Sequence, residues 1–269
     1  MKSPKRPTRG WEALAARTQW RPAGPEGASR RLGGMHMKRL TAALAAAAIV
    51  VALCLAFAPD AKAQVSGLAF SAGAATDYRS KGLSKSADDG YVFATAEWKS
   101  ADGPFYAGTA IATVDTPIGA NFETDLKAGI RHKALGWDLD LAVFYRAFHE
   151  ARDGTDADYV EFRAQASRSF GPVGVRLLTW ETPDSVGVVE RANWSEARVS
   201  YRAAQHLRVS AAVGYHSQDN GPSYAAWNAG ASIDVAPKTE LDLRWYDTDT
   251  QETGPRYQGE AVASLVYKF

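Results

Sequence analysis

The chain has 269 residues, 46% hydrophobic and 23% charged, with 23 Gly, 12 Pro and 1 Cys, which excludes a disulfide scaffold, collagen and a fully disordered polymer. The formal charge of +1 hides two unlike parts: 11 basic and 3 acidic residues up to Ala63, then 20 basic and 27 acidic from Gln64, or +8 and −7. An acidic main body argues against nucleic acid as a partner, because phosphates require a surplus of Lys and Arg on one face.

Residues 1–36 are rich in Arg, Pro and Gly and read as an extension from a start codon placed too far upstream, with Met35 and Met37 both fitting a true start. From Met37 the chain runs Met-Lys-Arg, an apolar stretch from Leu40 to Ala58, then Ala61-Lys62-Ala63. That order is a charged n-region, an h-region and a small-residue cleavage site, so 37–63 is expected to be an export signal and 64–269 the exported domain. The 19 residues from Leu40 to Ala58 also reach the length of a spanning helix. The cleavage site that follows, with no basic stop-transfer cluster, favours export. Cys54 lies inside the h-region after Leu53, where a lipoprotein signal would want a small residue. The exported chain therefore has no thiol for a disulfide or a thiolate metal site.

No apolar run beyond Gln64 is long enough for a membrane helix, so a membrane-spanning form could satisfy its backbone only as a closed β-barrel. The period-2 pattern supports that form. Strands are expected at Val65–Tyr78, Tyr91–Lys99, Phe105–Val114, Phe122–His132, Trp137–Arg146, Tyr159–Ser169, Val173–Thr182, Trp194–Ala203, Leu207–Ser217, Ala225–Val235, Thr239–Asp247 and Tyr257–Phe269. In the fourth, Phe122, Thr124, Leu126, Ala128 and Ile130 oppose Glu123, Asp125, Lys127, Gly129 and Arg131, one greasy face and one charged. In the seventh, an inward Arg176 also places Leu178 and Trp180 inside.

The fold class is therefore all-β: a transmembrane antiparallel up-and-down β-barrel of about 12 strands, an even number as bacterial barrels have. Short connections at Ser100–Pro104, Lys133–Gly136, Gly171-Pro172, Ala204–His206 and Pro237-Lys238 alternate with long polar ones at Ser80–Gly90, Asp115–Ala120, Ala147–Ala157, Pro183–Glu190, Gln218–Ser223 and Thr248–Arg256. Short periplasmic turns and long outside loops place both termini in the periplasm. Aromatics are expected in two lipid-facing girdles: Trp98, Tyr106, Trp137, Tyr201, Tyr267 and Phe269 near the periplasmic rim, and Tyr145, Tyr215, Trp227, Trp245 and Tyr257 near the outer one. Arg168 falls on the lipid side, but close to the Gly171 turn, where a charge costs about 0–1 kcal/mol.

The stretch Thr76-Asp77-Tyr78-Arg79-Ser80-Lys81-Gly82, with Phe105-Tyr106-Ala107-Gly108-Thr109-Ala110 and Glu123-Thr124-Asp125, resembles the TorF family of proteobacterial porin-like proteins. Thr76 stands where that family usually has Ser, and Lys81 where it has Arg. The resemblance implies an outer-membrane porin and leaves the solute open. The final strand ends in Tyr267 and Phe269, and a terminal aromatic resembles the insertion signal read by the barrel-assembly machinery.

The expected pore-lining residues are Glu123, Asp125, Lys127, Arg131, Asp138, Asp140, Arg146, Glu161, Arg163, Glu196, Arg198, Arg202, Asp242 and Arg244, with Arg176, Arg208, Glu97, Glu240 and Glu260 on the same face. Opposed basic and acidic columns would orient small polar solutes or ions, whereas paired ladders between neighbouring strands would only stabilise the wall. Fourteen acidic against six basic loop residues, with Arg79, Lys81 and Lys85 among the six, predict an acidic mouth and a weak cation preference.

A hydrolase would need His216 with Ser217, but adjacent residues on a strand point to opposite faces, and Gln218 stands where a second same-face group would be. His149, Asp156 and Asp219 have no spacing that demands a protease site, and the mature histidines read as solvated loop groups. Asp153-Gly154-Thr155-Asp156-Ala157-Asp158 lacks the glycine position and distal Glu of a calcium loop. The sequence therefore predicts a passive outer-membrane channel for small polar solutes or ions, with no catalytic residue, cofactor or metal. Its expected partners are outer-membrane lipid, the assembly machinery and the solute. The alternatives are a His216/Ser217 hydrolase and a closed structural or adhesive barrel.

Overall fold

The computed structural model describes residues 66–269. The N-terminal extension and export signal expected in 1–63 lie outside the described residues.

Twelve antiparallel strands close into a barrel: β1 (Leu68–Ala75), β2 (Tyr91–Lys99), β3 (Phe105–Thr113), β4 (Phe122–Ala134), β5 (Trp137–His149), β6 (Asp158–Phe170), β7 (Val173–Thr182), β8 (Ala192–Ala204), β9 (Leu207–Gln218), β10 (Tyr224–Ala236), β11 (Thr239–Thr248) and β12 (Glu260–Lys268). Each pairs with its sequence neighbours, and β1 closes on β12 with Ala72 opposite Tyr267. Closure removes both free edges, so every strand has partners on two sides. The short connections are built for tight reversal, as at Leu135-Gly136, where φ is 53° and 79°. Those turns, the start of β1 and the end of β12 share one end of the barrel, and the backbone N–H of Phe269 donates to Phe70 O there at 3.0 Å.

The interior and exterior exchange the usual roles. Leu126, Leu141, Phe162, Leu177, Val199, Val213 and Leu243 are 48–57% exposed on the outer face, while Glu161 is 1% and Glu123 2% exposed within. Among the expected girdle residues, Trp98, Tyr145, Tyr201, Tyr215, Trp227 and Trp245 are exposed on that outer face. Two expectations are corrected. Tyr106 is 3% exposed and donates to Asp140, so it points inward and Phe105 takes the outer position. Tyr257 precedes β12, which starts at Glu260, and packs edge-on against the buried Tyr224 at 5.4 Å. Arg168 caps the turn end as its position required, donating to Leu135 O at 3.3 Å.

The first strand is shorter than its pattern implied. After Ala75 the chain leaves the wall, and residues 76–90 form the segment on which the interior is built.

Candidate functional site

Residues 76–90 do not stand out as a loop but fold into the barrel. Arg79-Ser80 pairs with Leu83-Ser84 in a small hairpin whose tip, Lys81-Gly82, has φ of 52° and 88°. Positive φ at both central residues is the type I′ geometry that matches strand twist. A Cβ on Gly82 would overlap that of Ala226 on β10, so the second tip position admits only glycine.

The tip reaches strands far from its own. The Lys81 ammonium is paired with Glu161 on β6, and Lys81 O accepts from the Tyr224 hydroxyl on β10 at 2.9 Å. Leu83 packs beside Trp194, Tyr224 and Ala226. Lys85 is paired with Glu123 on β4 and lies 4.8 Å from the Phe148 ring centroid. The hairpin base is tied by Arg79, which pairs with Asp77, Asp88 and Glu260 and donates to Gln258 O at 3.0 Å. Among the described residues those three carboxylates are the one group close enough together for a cation, and the Arg79 guanidinium bonds all three.

Around the hairpin lies a charged layer in the loop half of the lumen. Arg146 holds Asp125 through two bonds of 2.6 and 2.8 Å, donates to the Tyr159 hydroxyl at 3.0 Å and lies 4.0 Å from Glu161. Thr182 donates to Glu161 at 2.8 Å, and the Tyr78 hydroxyl to Glu123 at 2.6 Å. The hairpin and the residue after it supply two of the layer's three cations, Lys81 and Lys85; the wall supplies Arg146 and the three carboxylates. Burial pushes the Lys85 ammonium down to about 8, helped by Arg146 and opposed by Glu123. Burial also lowers Lys81 despite Glu161, and raises the Tyr78 phenol well above its ordinary range, with Glu123 adding to that shift.

The other expected lining residues sit in separate clusters nearer the turn end. Glu97 takes Lys127 at 2.6 Å and Arg131 at 2.9 Å, while Asp140 takes Arg131 at 3.0 Å, Arg163 at 2.9 Å and the Tyr106 hydroxyl at 2.7 Å. Glu196 is shared by Arg176 at 2.6 Å and Arg198 at 3.4 Å. Asp242 pairs with Arg244 at 3.0 Å. Asp138, its side chain 60% exposed, and the exposed Arg202 lie at the turn rim. Most of these charges are thus paired with neighbours in the wall, and they do not stand as free columns facing each other across the lumen.

Two further sequence expectations change. Arg79, Lys81 and Lys85, counted among the basic groups of the mouth, are inside. His216 is no solvated loop group: it lies on β9, 7% exposed and 5.0 Å from the Tyr224 ring. Because β9 continues to Gln218, Ser217 takes the opposite face from His216, and no nucleophile and base meet there. His149 bonds Thr124 at 2.8 Å and stacks on Phe122 at 4.5 Å, on the outer face. A sequence signal for the inward hairpin did exist. Phe144, Phe148, Trp194 and Tyr224 fall in phase with the inward charges, and apolar side chains facing a lumen need something to cover them.

Below the hairpin, toward the turn end, the lumen opens into a chamber of about 530 Å³ roofed by Asp77, Arg79 and Tyr91.

Among curated proteins none matches the chain. The barrel is similar to solved porin structures: the KdgM porin, with 8% identity, TM-score 0.53 and coverage of 75% of this chain and 99% of that one; and a KdgM porin in complex with disordered oligogalacturonate, with 7% identity, TM-score 0.51 and the same coverage. At such identities the likeness is one of fold: a porin-like 12-stranded barrel. Residues 61–267 match the model of Gcw_chp, described as a bacterial protein of unknown function, and the chain belongs to that family.

Proposed function

We propose that this protein is an outer-membrane channel for small polar solutes or ions, narrowed by the inward hairpin at residues 79–84, and that it carries out no chemistry. The observation that carries the reading is the inversion of the barrel: large apolar side chains cover its outside and ionised groups fill its inside. An exposed apolar belt of this extent requires hydrocarbon around it, and a closed barrel is the form of sheet that hydrocarbon tolerates. Strands of eight to thirteen residues suit a span of about 9–11 tilted residues.

Orientation follows from the same reading, with the short turns and both termini in the periplasm, an export signal at 37–63, and Tyr267 and Phe269 as the insertion signal. The expected lining residues, from Glu123 and Asp125 round to Asp242 and Arg244, then face the solute path. The TorF resemblance agrees with this reading. Binding of an oligogalacturonate by a porin of similar fold makes a polar, charged solute reasonable here too.

The packed hairpin also favours a second reading, a closed structural barrel. Reconstitution decides between them. Purified from membranes in detergent and added to planar bilayers, the protein should give discrete conductance steps in KCl. A protein soluble without detergent would sink the membrane reading. A detergent-extracted barrel that stays silent, even with residues 79–84 replaced by a short Gly-Ser link, would establish the closed one.

A further inference from the structure

The chamber below the hairpin has an unusual charge arrangement. Arg79, Arg176, Arg198, Arg208 and Arg244 line it against four carboxylates, and the carboxylates have cations of their own. Asp77 is taken by Arg79, Asp242 by Arg244, Glu240 by Lys268 at 3.1 Å and Asp138 by Lys133 at 3.4 Å. The surplus lies on β7–β9. Arg176 stands directly opposite Arg198 in the β7–β8 register, and Arg202 opposite Arg208 in the β8–β9 register.

Like charges directly across a strand pair are destabilising. The first pair is relieved by one shared carboxylate, Glu196, leaving one positive charge over, and the Arg176 Nε is buried without a hydrogen-bond acceptor. The second pair has no carboxylate bonded to it among the described residues. Beside these cations the chamber presents the hydroxyls of Ser167, Ser200, Ser210, Ser232 and Ser264.

We propose that this chamber is a binding site for a small hydroxylated carboxylate, its anionic group held by Arg176, Arg198 and Arg208 and its hydroxyls by the serines. A planar guanidinium matches a carboxylate with two bonds, and a bound anion relieves the repulsion between the facing arginines of β7–β9. A volume of about 530 Å³ falls within the range of small-molecule sites, roughly 300–1,000 Å³. The chamber also bears on selectivity. Acidic groups at a wide mouth are screened within about 8 Å at physiological salt, whereas arginines on the chamber wall lie beside the ion as it passes. The site therefore reverses the cation preference that the loop composition alone predicts. Its role in transport rests on the channel reading, but its binding does not.

The test uses full-length protein in detergent, titrated calorimetrically with sodium gluconate, sodium acetate and sorbitol. Gluconate should bind, acetate and sorbitol at least about tenfold more weakly, and Arg176→Gln with Arg208→Gln should each lose on the order of tenfold for gluconate. Gluconate binding no tighter than sorbitol overturns the site, a result read on the wild type even where a variant fails to fold. Undiminished binding in folded variants overturns it too. Reversal potentials in a KCl gradient separate the two claims. Gluconate binding in a barrel that never conducts keeps the site and removes the channel. Cation-selective conductance without gluconate binding does the opposite.

Discussion

Lys81→Gln combined with Lys85→Gln should convert a constricted channel into a wide one, seen as a several-fold rise in single-channel conductance or in the fraction of time spent open. Each substitution takes from a buried carboxylate, Glu161 or Glu123, its directly bonded cation as long as the hairpin stays docked. Removing one partner of a buried pair costs about 3–5 kcal/mol. Here the cost falls on the docked state, because a hairpin that swings out lets water reach both carboxylates. A bias of even 3 kcal/mol moves the docked-to-undocked ratio about a hundredfold. The strand ladders take no part in these contacts, so circular dichroism and heat-modifiable gel migration should report an intact barrel. Conductance equal to wild type would refute the hairpin as the constriction.

Arg146→Ala should cost about 3–5 kcal/mol of barrel stability, measured by urea unfolding in lipid vesicles followed by tryptophan fluorescence. Its guanidinium is the one cation of the buried layer that belongs to the wall, and it answers Asp125 with two bonds and Tyr159 with a third. Without it, Glu123, Asp125 and Glu161 face only the two hairpin lysines. Among the described residues Arg146 is the one cation bonded directly to Asp125. Arg146→Lys should recover only part of the loss, because an ammonium cannot reproduce the two-bond geometry. A loss below about 1 kcal/mol would mean the layer is already hydrated and contributes no more than a surface pair.

Tyr106 shows how far local pattern reaches and where it stops. Tyr106 and its neighbour Phe105 are both aromatic, and period-2 reading decides only that one faces out; Asp140, 34 residues on in β5, draws Tyr106 inward through a hydrogen bond. Tyr257 failed for a related reason: it falls in phase with the outward Ala261, Ala263, Leu265 and Tyr267 and so reads like strand, yet the strand starts only at Glu260, after Gly259.

What the sequence determined by itself was the wall: twelve strands, their inward and outward faces, and the alternation of short and long connections. Side-chain direction along a strand is a local property with a period of two, so a dozen residues suffice to read it. Only the tertiary structure decided what fills the wall. Lys81 meets Glu161 across 80 positions and Lys85 meets Glu123 across 38, and both pairings exist because barrel closure brings distant strands around one lumen. A polar segment between two strands carries the same residues whether it points to water or turns inside. Which it does depends on buried carboxylates and inward aromatics that the rest of the chain supplies.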